Sequence, residues 1–411
     1  MRLAPSPFDA LATMSRQRGV TRRGFLRGAS LSALALSSPA LLAACGTEGA
    51  SQTAESCVSE DVSSSEKELI FSNWLGYIDQ ARQEVNGKTT TVLPTLADFE
   101  KESGIEVAYN TDVNDNVEFF EKVRNQLGAC EPIGRDMIVF TDWMAARVVN
   151  LGWTQKLDQA NLPNVNANLS ASLKSPGWDP NRDFSVPWQS GLTGIAYNAK
   201  FTGEVRTFEE LCTRADLKGK VSLLSELGDT MGFMLKIVGA DPEDFTDDEY
   251  GQALDQLQEY VDAEQFRRFT GNDYTRDLDN GNVVACEAWS GDVIAMQFDN
   301  PDIKWVAPEE GVGLWSDNCL VPNKAEHKTN AEMLMNYYYD PVVAARLSAW
   351  VNYICPVEGA REAMEKVDSS LVDNQLIFPD EDFLSQSFAF MALDDKRREQ
   401  AEKDFTQVIG S

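Results

Sequence analysis

The chain has 411 residues, 43% of them hydrophobic, enough for two domains with sizeable cores. Lys and Arg number 36 against 65 Asp and Glu, a formal charge of −29, a balance that repels nucleic acid and anionic lipid and gathers small cations, although solubility or adaptation to salt accounts for it equally well. A single histidine argues against His-based catalysis and His-rich metal sites, so neither a metal nor a cofactor is expected.

Residues 1–44 read as an export address. "TRRGFLRG" (Thr21–Gly28) fits the twin-arginine pattern, with Arg27 at the place usually held by Lys. A small-residue apolar run follows, too short and too rich in Ser and Ala for a membrane span. It ends in "LAAC", which resembles a bacterial lipobox and marks Cys45 for lipidation, hence a lipid anchor at the outer face of the cytoplasmic membrane or a periplasmic location. Residues 45–66, rich in Gly, Ser, Thr and Glu, are expected to form a flexible tether.

Strands and helices then alternate. "ELIFSNWLGYI" opens as a strand, "TLADFEKESG" predicts a helix closed by Gly104, and "IEVAYNTDV" is the next strand. "NVEFFEKVRNQLG" is a helix, "DMIVFT" a buried parallel-type strand and "DWMAARVVNLG" a helix, an order that implies a doubly wound sheet. "GLTGIAYN" starts a second α/β unit that includes "KVSLLSE", "DTMGFMLKIVG" and "NVVACEAWSGDVIAM". After "KWVAPEEGVGLWSDNCLVP" the chain is largely helical. No Gly-rich phosphate loop is present. Seven cysteines include no C-x-x-C pair; Cys286 and Cys319 lie in apolar runs and read as core thiols, while His327, in "NKAEHKTN", reads as a solvated loop residue.

Ligands of open α/β sheets sit beyond the carboxyl ends of the strands. Trp74 and Tyr77 follow the first strand; Thr141, Asp142 and Trp143 follow "DMIVF"; Glu226 and Asp229 follow "SLLS"; Trp289, Ser290 and Asp292 follow "VVACEA". Trp315 and Asp317 stand two apart in "GLWSDNCL", on one face of a strand, where a carboxylate beside an indole makes a poor core but a good seat for an organic cation. No Lys or Arg stands among them. Indoles, phenols and carboxylates without a basic residue suit an ammonium ligand through charge pairing and cation–π attraction. Singly, each has another use: Glu226, Asp229 and Asp292 can serve helix starts, and Trp143 can pack on its own helix.

The landmarks "FSNWLGYI", "RDMIVFTDWMAARVVNLGWTQKLD", "FSVPWQSGLTGIAYN", "LKGKVSLLSELGDTMGFML", "LWSDNCLVP" and "AWVNYICPVEGA", with their spacing, resemble the polyamine (spermidine/putrescine) substrate-binding proteins of ABC importers, from about Leu69 to the C-terminus. The resemblance implies a periplasmic-binding-protein-like (type II) α/β fold: two lobes of mixed sheet flanked by helices, with a hinge and a ligand cleft. Lobe 1 would span 67–190 with about 316–360 returning to it, and lobe 2 would span 191–315 with about 361–411 returning. Crossings are expected near Ser190–Leu192 and just before Trp315. It further implies an aromatic box of Trp74, Tyr77, Trp143, Trp289, Trp315 and Tyr353, with Asp317 receiving an amine. The expected partners are a polyamine and the ABC permease subunits; the protein would be a monomer, with no catalytic residues. Leu75 replaces a hydroxyl residue common in the family, and Leu227 and Thr230 stand where an acid pair is usual, with Glu226 and Asp229 nearby. The segment 81–94 is longer than in many members. Another organic cation, such as a quaternary amine or amino-acid derivative, is the alternative ligand. A hydrolase lacks a G-x-S-x-G elbow and a usable His, and ferric capture by "NYYYD" conflicts with the helical run those tyrosines occupy.

Overall fold

The computed structural model describes residues 57–85, 88–391 and 393–410. The export signal and Cys45 lie outside the described residues. The first half contains β1 (Glu68–Trp74), β2 (Ala81–Val85), β3 (Lys88–Val92), α1 (Pro94–Ser103), β4 (Glu106–Val113), α2 (Asn116–Gly128), β5 (Met137–Thr141), α3 (Asp142–Asn150), α4 (Pro163–Asn168) and β6 (Ser185–Asn198). Then come α5 (Phe208–Thr213), β7 (Val221–Leu224), α6 (Leu227–Ile237), α7 (Asp247–Asp262), β8 (Phe266–Thr270), α8 (Tyr274–Asp279), β9 (Ala285–Trp289), α9 (Ser290–Asp299), β10 (Ile303–Val306) and β11 (Val312–Leu320). The end is α10 (Lys328–Tyr338), α11 (Pro341–Val351), α12 (Ala360–Val367), α13 (Glu381–Leu384), β12 (Ser387–Phe388) and α14 (Asp395–Ile409).

Eight strands run in the order β4-β1-β5-β11-β6-β9-β7-β8, with β10 and β12 pairing on β6 and β11. One end is a parallel trio, β4-β1-β5, and the other is a second, β9-β7-β8. Between them β6 and β11 pair antiparallel with each other and with both trios. This is the mixed α/β fold expected. β6 begins earlier than "GLTGIAYN" predicts, at Ser185, because it runs from one trio to the other as a single strand. The two expected crossings are neighbours in this pair, with Ser190 opposite Ser316 and Gly191 opposite Trp315.

Continuous burial of the central strands and helix punctuation follow from the sequence. Gly104 closes α1 in the left-handed region (φ 72°), where a Cβ would be strained. Asp115 caps α2 through its side chain, and Thr246 with Glu249 forms a capping box on α7. Two main apolar cores result. The first is built on β1, β5 and α10–α11, and the second on β7, α6, α7 and α14. Residues 361–377, expected with the second lobe, pack on the first core through Met364 and Ile377, because α12 lies against α11.

Two expectations change. Residues 57–66, read as tether, are docked: Cys57 forms a disulfide with Cys130, and the Asp61 carboxylate accepts from the Thr329 amide (3.1 Å) and hydroxyl (2.5 Å). Polar composition conceals this, since the segment is held by side-chain bonds and a cross-link rather than by apolar burial. His327 is buried, its Nδ1 3.1 Å from the Asp136 carboxylate. The partners that cover it come from β1 and the start of β5, which its own polar stretch does not reveal. In the longer segment 81–94, residues 81–85 and 88–92 pair as antiparallel strands. Cys286 and Cys319 are buried free thiols, and Tyr338 and Tyr339 are core residues.

Candidate functional site

A cavity lies where the carboxyl ends of β1, β5, β7 and β9 converge on the middle of β11. Trp74, Tyr77, Thr141, Trp143, Glu226, Asp229, Trp289, Trp315, Asp317 and Tyr353 all line it. These ten are the ligand-binding residues expected from the strand ends and the family resemblance together.

Trp315 and Asp317 project from one face of β11, as the period of two requires. Asp317 lies opposite Thr141 on β5 and Gln189 on β6, and it is 4% exposed. It accepts from the Tyr77 phenol (2.7 Å) and the Thr141 hydroxyl (2.7 Å). Neither donor carries charge. Burial therefore raises the Asp317 carboxyl to about 7, only partly offset by those two bonds. The loop carrying Tyr77 is pinned from below, where the Trp188 indole donates to the Tyr77 carbonyl (3.2 Å).

The Trp315 indole lies over Gly191. A Cβ at position 191 would come within 2.2 Å of its ring, so only glycine lets the indole lie flat on β6. Its Nε1 donates to the Thr193 hydroxyl (3.0 Å), which in turn donates to Asp229. The Trp289 indole reaches the other Asp229 oxygen at 3.4 Å. Burial raises Asp229 to about 6 despite these donors. The rings form a continuous wall: Trp74 to Trp289 at 6.5 Å, Trp289 to Trp315 at 6.4 Å, Trp315 to Tyr353 at 5.4 Å and Tyr353 to Tyr77 at 5.3 Å between centroids.

Glu226 flanks the start of α6 but does not cap it. Its carboxylate accepts instead from the Asn116 amide (3.0 Å) and side chain (3.2 Å), a bond between the two cores. Burial and the neighbouring Asp115 carboxylate push Glu226 well above the ordinary range. Asn116 also donates to Thr141 (2.9 Å), linking Glu226 to Asp317 through two neutral groups.

Asp292, noted in the sequence but left out of the expected site, also lines the cavity. It accepts from the phenols of Tyr274 (2.8 Å) and Tyr353 (3.0 Å), and burial raises it to about 6. Asp142, at the head of α3, is likewise raised to about 6 by burial. Its position one residue after a strand end was the available signal. Asn116, Asn272 and the aromatic end of "FAFM", Phe388 and Phe390, escaped sequence reading altogether, since nothing in their local pattern points to a distant cleft. Thr230, at an expected acid position, turns away and bonds Glu287 (2.7 Å).

Five carboxylates thus face a cavity walled by indoles and phenols, and no Lys, Arg or His is among its described lining residues. Such a wall supplies negative charge and π-faces without a resident counter-ion.

A model of the bacterial extracellular solute-binding protein family matches residues 95–371. The chain is 28% identical over 351 residues to the putrescine-binding periplasmic protein PotF of Escherichia coli, covering 80% of this chain and 88% of that one. It is 25% identical over 293 residues to spermidine/putrescine-binding periplasmic protein 1 of Haemophilus influenzae, covering 71% and 79%. The crystal structure of the spermidine/putrescine ABC transporter substrate-binding protein PotD from Streptococcus pneumoniae superposes with a TM-score of 0.65 at 21% identity, covering 84% of this chain and 98% of that one.

Proposed function

The chain belongs to the bacterial extracellular solute-binding proteins, exported components that bind solutes rather than transform them, and from that premise we propose that its solute is a polyamine of the putrescine and spermidine class. The observation that carries this reading is the set of buried carboxylates, Asp317, Asp229, Asp292 and Glu226, spread along one aromatic cavity without a basic side chain. A flexible chain with an ammonium at each end answers both features: each end finds a carboxylate, and the methylenes between lie on indole faces. Asp317, with Trp315 above it, is the principal amine seat. Trp74, Tyr77, Trp143, Trp289 and Tyr353 form the walls, while Thr141 and Asn116 orient the acids. The two cores act as lobes that close by hinge motion at the paired strands β6 and β11. The captured polyamine is handed to the permease of an ABC importer by a monomer tethered through lipidated Cys45.

Calorimetry of the purified protein with putrescine, spermidine and spermine, beside mass spectrometry of any ligand released on denaturation, tests the solute. Saturable binding of at least one polyamine is expected. A released quaternary amine with no heat from any polyamine overturns the reading. For the anchor, Cys45→Ala should free the protein from the membrane fraction or leave an uncleaved precursor.

A further inference from the structure

Well away from the cavity, the chain's sole histidine sits in a group whose spacing suits a metal better than an ion pair. His327 precedes α10 and is buried. Its Nδ1 faces the Asp136 carboxylate at 3.1 Å, and Asp136 is fixed by the Ile70 amide at 2.9 Å. The Nε2 edge faces Glu66 at 3.3 Å and Glu68 at 3.7 Å. Glu66 and Glu68 stand two apart at the entry to β1, so their side chains share a face. Both carboxylates are more than half exposed, which leaves the group open to solvent on one side. The ligand atoms of all three lie within 4.8 Å of one another.

The distances decide between two readings. A charged imidazolium–carboxylate pair closes to about 2.7–2.9 Å. Two ligands held about 2.0–2.1 Å from a tetrahedral ion lie about 3.3 Å apart. The Nε2–Glu66 separation of 3.3 Å matches the second spacing, and Glu68, at 3.7 Å, stands somewhat beyond it. The Asp136–His327 contact is the carboxylate–histidine arrangement that fixes a metal-binding tautomer, turning the Nε2 lone pair outward. The frame is rigid, because the Asn330 side chain donates to the Glu66 carbonyl (2.9 Å) and the Glu68 carbonyl (2.8 Å). That staple holds both glutamates at the register the histidine needs.

We propose that Glu66, Glu68 and His327 bind a divalent transition metal of the zinc class, with Asp136 as the positioning residue and a solvent position open. One nitrogen and two carboxylate donors favour zinc-class ions over calcium or magnesium, which take oxygen ligands. The ion clasps the start of β1 to the residue before α10, close in sequence to Asp61 and Thr329, whose bonds dock residues 57–66.

The test is a titration of the chelator-stripped full chain with Zn2+ alone, in excess Mg2+, followed by Co2+ with visible absorption. One ion per chain is expected, with a Co2+ spectrum of low-symmetry nitrogen and oxygen ligation. The Glu66→Gln/Glu68→Gln double variant changes only exposed side chains and should fold; it should bind Zn2+ about a hundredfold more weakly. His327→Gln should abolish the Co2+ spectrum. Asp136→Asn should weaken binding about ten- to a hundredfold. Glu60→Gln, an exposed acid of the same segment, should bind as the parent does. Binding undiminished in the double variant, equal competition by Mg2+, or no stoichiometric Zn2+ in the parent overturns the site.

Discussion

Two buried carboxylates of the first core illustrate opposite designs. Glu332, fully buried on α10, accepts from the Asp158 amide (2.7 Å), the Asn161 side chain (2.7 Å) and the Lys328 ammonium (2.5 Å). Asp317, nearly as buried, accepts only from two neutral hydroxyls. A structural carboxylate has its own cation, Lys328 on the same helix, and its remaining bonds tie α10 to the loop before α4. A cleft carboxylate keeps its charge uncompensated, and in the proposed function the ligand supplies the missing cation. Leaving a charge buried and unpaired is costly, so a set of such groups around one cavity marks a place shaped for binding rather than for stability.

Exchanging charge for amide at each position separates the two designs most sharply. In Asp317→Asn, polyamine affinity should fall roughly 30- to several thousand-fold, the cost of truncating one side of a desolvated charge pair. The melting temperature of the unliganded protein should hold or rise, since an unpaired buried charge has been removed. Glu332→Gln should do the reverse: stability falls by about 1–3 kcal/mol as Lys328 and two other donors lose their anion. Its affinity should change by less than about twofold, as expected for a distant site. Calorimetry and thermal melts on both variants give the four numbers. Equal affinities for the parent and Asp317→Asn remove Asp317 from the site.

Acidity tests the same contrast without mutation. Asp317 is raised to about 7, and Asp229 and Asp292 to about 6. Each holds its proton more firmly folded than unfolded, where an aspartate titrates near about 3.9. The folded state thus binds the extra protons between these values, and unliganded stability should decline as pH rises from about 4 through 6–7. Binding runs the other way, because an ammonium pairs only with the ionised form. For a single group titrating at about 7, affinity at pH 5 should be about fiftyfold below that at pH 7 and about a hundredfold below that at pH 8. Titrations from pH 5 to 8 read this directly. A flat profile sinks the premise that the cleft acids are ligand partners.

The aromatic half of the cavity should matter less than the acidic half. Trp315→Ala removes one π-face while leaving every carboxylate, so affinity should fall about 5- to 30-fold, the worth of a desolvated cation–π contact. Gly191→Ala reaches the same end from below, since the added methyl must displace the indole it would otherwise overlap. A loss from Trp315→Ala larger than that from Asp317→Asn would invert the proposed hierarchy.

The cleft was unusually legible in the sequence because its chemistry sits at strand ends. Period-two spacing puts Trp315 beside Asp317, and the repeated aromatic-plus-acid motif after each strand accounts for nine of the ten expected residues that line the cavity, while Tyr353 comes only from the family resemblance. The alternation of strands and helices likewise gives the α/β class. What could not be read depends on contacts distant in sequence. Asn116 reaches Glu226 across 110 residues, and His327 is buried by Asp136, 191 residues away. The docking of residues 57–66 rests on a disulfide and polar bonds that composition renders as tether. Residues 361–377 go to the first core because α12 pairs with α11, a choice between two apolar surfaces that no local pattern records.

The smallest expected effect concerns a carboxylate that combines both designs. Glu402 on α14 belongs to an element of the second core, and it pairs with Arg147 on α3 of the first at 3.1 Å. It carries its own cation, as Glu332 does, but that cation comes from the opposite core. The pair is therefore made or broken as the cores approach or part, and it lies outside the cavity lining. The Arg147 guanidinium also stacks on Phe120 at 4.2 Å, which fixes it in place whether or not Glu402 is present. Glu402→Gln should thus remove only the cross-core attraction, leaving the arginine stem packed. At 17% and 16% side-chain exposure the pair is partly screened, and a partly screened pair contributes about 0.2–1 kcal/mol. Affinity for the best polyamine should fall no more than about fivefold, chiefly through faster release. Small-angle scattering of the variant with sub-saturating ligand should show a slightly larger radius of gyration than the parent, converging at saturation. A loss greater than tenfold would mean that closure, rather than the uncompensated charge at Asp317, governs affinity, and the contrast between structural and cleft carboxylates would lose its functional meaning.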